Sequence, residues 1–146
     1  LAKEIAKNIH SIFPHLGMLL EGEQNQTYIF GRQLAIELTD STELLEKTLE
    51  HFISAETINP SFAVGIYSGI YEKSQSIWQS CIDKLLEDEG QATFYPNFIT
   101  TGNIQKPHLD ILLELIRNDV VSVNNANILS RGGVLDSLDP KTISEF

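Results

Sequence analysis

Between residues 74 and 88 the apolar side chains are Ile77, Trp78, Cys81, Ile82, Leu85 and Leu86. At about 100° per residue these positions form a single stripe along an amphipathic helix. Ser74 is suited to cap its start, and Gly90 follows its expected end, where a left-handed residue often closes a helix. A second such stretch covers 41–54, with Leu44, Leu45, Leu49, Phe52 and Ile53 on one face and Asp40 and Glu43 spaced as a capping box. A third runs from Pro107 towards Val120 and carries Ile111, Leu112, Leu115 and Ile116. Further helices are predicted near 27–38, 60–72 and 122–131. In residues 1–22, Ile5, Ile9, Ile12 and Phe13 share a face, Pro14 interrupts, and Leu16, Leu19 and Leu20 continue, as one kinked helix or a short pair. The period-two alternation of a half-buried strand is almost absent, so the expected class is all-α.

The predicted helix starts at Ser41, Ser74, Pro107 and Pro140 are each 33 residues apart. Six columns of the three best helices should then be core: Leu44/Ile77/Ile111, Leu45/Trp78/Leu112, Thr48/Cys81/Leu115, Leu49/Ile82/Ile116, Phe52/Leu85/Asp119 and Ile53/Leu86/Val120. Only Thr48 and Asp119 break the apolar pattern. The helices between them also rhyme, at 34 residues: Tyr28-Ile-Phe-Gly31 matches Phe62-Ala-Val-Gly65, and Ala35-Ile36 matches Gly69-Ile70. Glycine inside a helix costs about 1 kcal/mol relative to alanine. Small residues four apart on both segments therefore point to the close approach of a neighbouring helix. A weaker third copy lies around Phe94–Thr101, with Pro96 at its first turn, and a fourth around Val121–Arg131 is closed by Gly132-Gly133.

This periodicity resembles the α-solenoid class that includes HEAT and armadillo arrays. The likeness covers about residues 25–146 and is one of architecture. The tetratricopeptide pattern is not met, since Ile77 and Cys81 stand where it requires alanine and an aromatic, and the Thr-Pro-Leu-His of ankyrin repeats is absent. The resemblance implies antiparallel helix pairs of 33–34 residues stacked as a short α-solenoid, because one pair cannot bury its own apolar face. One helical-repeat domain over 1–146 is expected, with units of roughly 1–24, 25–56, 57–90, 91–120 and 121–146. The chain is read as a segment of a longer protein: it begins at Leu1, its one methionine is Met18, and Asp139-Pro140 opens a helix that ends at Phe146.

With 20 acidic and 10 basic residues the formal charge is −10, which disfavours nucleic acid and anionic membrane surfaces as partners. No apolar run approaches the roughly 18 residues of a membrane span, and a single cysteine, Cys81, forms no internal disulfide. A cytoplasmic setting is the corresponding expectation. Cys81 and Trp78 fall in core columns and read as packing residues. Tyr67, Tyr71 and the Phe94–Phe98 stretch read as packing between repeats. No phosphate loop, His-Glu-x-x-His, paired-cysteine or Gly-x-Ser-x-Gly motif is present. His10, His15, His51 and His108 lack metal-ligand spacing and read as isolated surface or half-buried residues. The acidic runs at Glu43–Glu50 and Glu87–Glu89 read as solvated helix faces.

The function expected from these features is a non-catalytic scaffold or protein-interaction module, with no cofactor and no metal, binding a protein or peptide and not nucleic acid or membrane. Its candidate partner-binding face is the outward side of the second helices: Glu43, Glu46, Glu50, Gln79, Asp83, Asp110, Glu114 and Arg117. The alternative is a regulatory or sensor segment of a larger enzyme, such as a nucleotide hydrolase, whose active site lies outside this chain.

Overall fold

A computed structural model describes residues 6–11, 24–54 and 60–122. These residues are all-α and contain no strand: after a 3-10 turn at Ile9–Ser11 come seven helices, α1 (Gln24–Glu37), α2 (Thr42–Ser54), α3 (Ser61–Lys73), α4 (Gln75–Leu85), α5 (Glu89–Ala92), α6 (Tyr95–Ile99) and α7 (Lys106–Arg117). The chain groups into two compact units, Leu1–Gln79 and Ser80–Phe146, divided within α4. The helices predicted over 1–22 and 122–131, and the Gly132-Gly133 and Asp139-Pro140 signals, lie outside the described residues.

Unit one is built on the close packing of α1 against α3. Gly31 lies against Phe62 and Ile66, while Gly65 lies against Tyr28 and Arg32. A Cβ on Gly69 would stand 2.6 Å from both the Ala35 Cβ and the Arg32 carbonyl oxygen. The contacts advance in the same direction along both helices, so α1 and α3 run parallel, offset by the 34 residues of the sequence rhyme. Only residues without a side chain let two backbones approach so closely. At the far end Arg32 donates from Nε and Nη2 to Glu72 Oε1 (3.1 and 2.8 Å), and Tyr28 donates to Ser68 Oγ at 3.2 Å. The Glu72 carboxylate holds the Arg32 guanidinium above its usual range, by hydrogen bond first and charge second. Lys73 Nζ also reaches the Leu38 carbonyl, satisfying an acceptor at the C-terminal end of α1.

The α1–α2 turn is closed by side chains. Asp40 Oδ1 accepts from the Thr42 N–H and hydroxyl (2.9 and 2.6 Å), and the Ser41 hydroxyl donates to the Ala35 carbonyl at 3.3 Å. Leu44, Leu45, Thr48 and Leu49 are the buried side of α2. Thr48, an exception in the core columns, fits because its hydroxyl donates to the Leu44 carbonyl one turn back, at 2.7 Å. Ser74 caps α4 as expected, accepting from the Ile77 N–H at 3.3 Å. Trp78 is buried and meets half-buried Tyr71 edge to face, ring centroids 5.3 Å apart. Tyr67 is buried in α3.

Several expectations are corrected. On α4 only the central part of the stripe is buried: Trp78, Cys81, Ile82 and Leu85. Ile77 is 55% exposed and Leu86 36% exposed, because they sit at the two edges of a stripe wider than the neighbours cover. The helix stops at Leu85, and Gly90 does not terminate it. Asp88 starts the short α5 instead, its Oδ1 accepting from the Gln91 N–H at 3.1 Å. The third first-helix is accordingly two short pieces, α5 and α6, with Pro96 in the first turn of α6 as its position predicted. In unit two Tyr95, Phe98, Ile99, Ile104, Leu109 and Leu112 make the core along with the α4 residues Cys81, Ile82 and Leu85. On α7 the buried face is His108, Leu109 and Leu112, and Ile111, Leu115 and Ile116 are only half-buried. Asp119 is not a core position. It lies beyond the helix end with φ 59°, where the Val120 N–H bonds the Leu115 carbonyl (2.9 Å) and the Asp119 N–H that of Ile116 (3.1 Å), a Schellman closure.

Candidate functional site

The described parts of the predicted face fall into two clusters, one in each unit. On α2, Glu43, Glu46 and Glu50 are all exposed and lie at i, i+3 and i+7, within roughly 60° of one another around the axis. They stand opposite Leu44, Leu45, Thr48 and Leu49, so burial of those four fixes the direction of the acidic ridge. His10 Nε2 lies 3.1 Å from Glu43 Oε1, and Lys47 Nζ lies 3.6 Å from Glu50 Oε2. Both pairs are exposed, where ion pairs contribute at most about 1 kcal/mol and are screened by salt.

On α7, Asp110, Glu114 and Arg117 share a face with Leu113 and line an open depression of about 520 Å³. Lys106 Nζ bridges to Asp110 Oδ2 at 3.0 Å, and Arg117 Nη1 to Glu114 Oε1 at 3.3 Å. This face therefore offers charges of both signs around one aliphatic side chain, in contrast to the acidic ridge of α2. Gln79 and Asp83, on α4, fall on either side of the division between the units; Gln79 is half-buried and Asp83 exposed. Lys106 and Lys47 belong to this chemistry although the sequence reading passed over them. Their spacing to Asp110 (i, i+4) and Glu50 (i, i+3) was the available signal.

Unit two also gathers a set of titratable groups around Asp83 that the sequence reading missed. Tyr95 is fully buried and its hydroxyl has no hydrogen-bond partner. Burial chiefly, and then the Asp83 carboxylate, push its ionisation far above the usual tyrosine range. His108, expected as a surface or half-buried residue, is buried and accepts the Gln105 N–H at its Nδ1, 2.9 Å away. Burial lowers its pKa, and Asp83 acts in the opposite sense but less strongly. The missed signal was its place three residues after Gln105, the position from which a side chain reaches back to the N-cap amide.

Cys81 is buried, as its column predicted. Among the described residues no three His, Cys, Asp or Glu side chains are grouped to hold a metal ion, and no helix is long and apolar enough to cross a membrane. His15 lies outside the described residues, and His51 is half-buried on α2. Compared with family models, curated proteins and solved structures, the chain matches none.

Proposed function

We propose that the chain is a non-catalytic, helical-repeat interaction module, in a cytoplasmic protein, that presents α2 and α7 to a basic or polar polypeptide. The observation that carries this reading is the ridge of Glu43, Glu46 and Glu50, held outward by the buried opposite face of α2. Charge complementarity of this kind accelerates association and selects partners more than it adds affinity. The open depression beside Leu113, with Lys106, Asp110, Glu114 and Arg117 around it, supplies a mixed patch suited to a polar segment. The parallel packing of α1 on α3 at the sequence repeat supports reading the helix pairs as a solenoid. The formal charge of −10 favours a polypeptide over nucleic acid.

The test uses a partner recovered on immobilised protein and mapped to α2 or α7 by cross-linking. Association is then followed by surface plasmon resonance for the wild type and for the triple variant Glu46→Lys, Glu50→Lys, Asp83→Lys. Slower association of the variant at low salt, with the difference shrinking as salt is raised, supports the reading. Equal association at low salt would reduce the acidic ridge to a solvated face.

A further inference from the structure

The bond between the Gln105 N–H and His108 Nδ1 joins the residue preceding α7 to the third residue of that helix. A ring nitrogen that accepts a backbone N–H carries no proton, so the neutral ring bears its one proton on Nε2. Adding a proton places a second N–H at Nδ1, directly opposite the Gln105 N–H. Two donors cannot bond each other, and the amide loses its acceptor.

Two further features oppose the charged ring. It is buried, 6% exposed, and it stands in the first turn of a 12-residue helix, where the aligned peptide dipoles present their positive end. The charged groups around it do not cancel this. Asp83 on α4 favours the protonated ring but is outweighed by burial. Tyr95, on α6, which packs against α7, stays neutral throughout the acid range. On α7 itself Lys106 and Asp110 bridge one another.

We propose that His108 is an acid-sensitive latch: on taking up a proton at Nδ1 it releases the Gln105 amide and frees the first turn of α7. The sign follows from linkage. The closed state holds the ring below its ordinary pKa of about 6.5, whereas the opened turn returns it to that value, so protons favour opening. Closure is fully favoured above pH 6.5 and weakens as pH falls from there to the closed-state pKa. Between those two values one proton is taken up on opening, which corresponds to a tenfold loss of closure per pH unit. The latch concerns α7 alone and stands whether or not that helix binds a partner.

Amide hydrogen exchange on the whole chain, corrected for its intrinsic pH dependence, tests this between pH 7.5 and 4.5, with the His108 ring titrated by NMR alongside. The expected result is that protection at Gln105, His108 and Leu109 falls by up to tenfold per pH unit below 6.5, while the α1 and α3 amides hold theirs. In His108→Gln, whose amide oxygen can still accept the Gln105 N–H, the acid-dependent loss should vanish. If that variant fails to fold, Asp83→Asn serves in its place: the His108 titration should move to lower pH, and the loss of protection with it. A ring that titrates at or above 6.5, or protection at α7 that does not change with pH or changes no more than at α1 and α3, overturns the proposal.

Discussion

Gly69→Ala offers the most direct test of the α1–α3 packing. In an open helix this substitution stabilises by about 1 kcal/mol, because alanine restricts the unfolded chain and shields the backbone. Here the new methyl would stand 2.6 Å from both the Ala35 Cβ and the Arg32 carbonyl oxygen. Ordinary carbon–carbon contact is about 3.5–4.0 Å, so the helices must separate by roughly 1 Å. A gap of that size forfeits about a quarter to a half of each dispersion contact along the crossing. Overpacking of this kind costs about 1–3 kcal/mol. After the propensity gain is subtracted, the net effect is a loss of about 1–2 kcal/mol. Gly65→Ala should cost more, since its methyl meets the Tyr28 carbonyl and the Arg32 amide, which cannot rotate away. Gly90→Ala on exposed α5 is the internal control and should gain up to about 1 kcal/mol. Urea unfolding followed by circular dichroism reads all three, as midpoint changes at constant slope. If Gly69→Ala matches the control, the helices do not approach as described and the reasoning fails.

Three other substitutions probe the interior. Ile82→Ala should lose about 2–5 kcal/mol, whereas Ile77→Ala, at an exposed site five residues earlier, should stay within about 0.5 kcal/mol of wild type; equal losses in urea melts would restore the wider core stripe. Tyr95→Phe removes a buried hydroxyl without a hydrogen-bond partner and should raise stability by about 1 kcal/mol, a gain that a calorimetric loss would refute. Asp119→Gly should add about 0.5–1 kcal/mol, because glycine accepts φ 59° without strain and the change removes a negative charge from a helix C-terminus; a lower unfolding midpoint would show that the Asp119 side chain has a compensating contact.

The α1–α3 crossing was legible because its determinants are local and repeated. Gly31 with Ala35 and Gly65 with Gly69 encode a narrow helix face, and their 34-residue spacing encodes which helix meets which. The limits of the core on α4 and α7 were not legible in the same way. An apolar stripe gives the inward side of a helix, but the neighbours decide how much of its width is covered, so Ile77 and Leu86 were left outside and the α7 face was rotated towards Leu109. His108 escaped notice because a backbone amide, not a side chain, makes its burial tolerable. The weak third copy followed from punctuation: Asp88 and Pro96 each start a helix, and so divide one long helix into two short ones. Of the candidate face, the outward direction of Glu43, Glu46, Glu50, Asp110, Glu114 and Arg117 could be read from periodicity. Their ion pairs could not, since these depend on how long, exposed side chains settle.

The interleaving at the crossing has a mechanical consequence. Gly31 is seated between Phe62 and Ile66, and Gly65 between Tyr28 and Arg32, so each helix carries a notch that holds a ridge of the other. Displacement along the shared axis would drive Phe62 or Tyr28 over a neighbouring backbone, whereas displacement perpendicular to it only opens the contact. A load applied along the helices therefore meets a stiff response, and one that peels them apart meets a soft one. The Arg32–Glu72 and Lys73–Leu38 bonds lie towards the C-terminal end of the pair, so peeling starts most easily from the other end, at Tyr28 and Phe62.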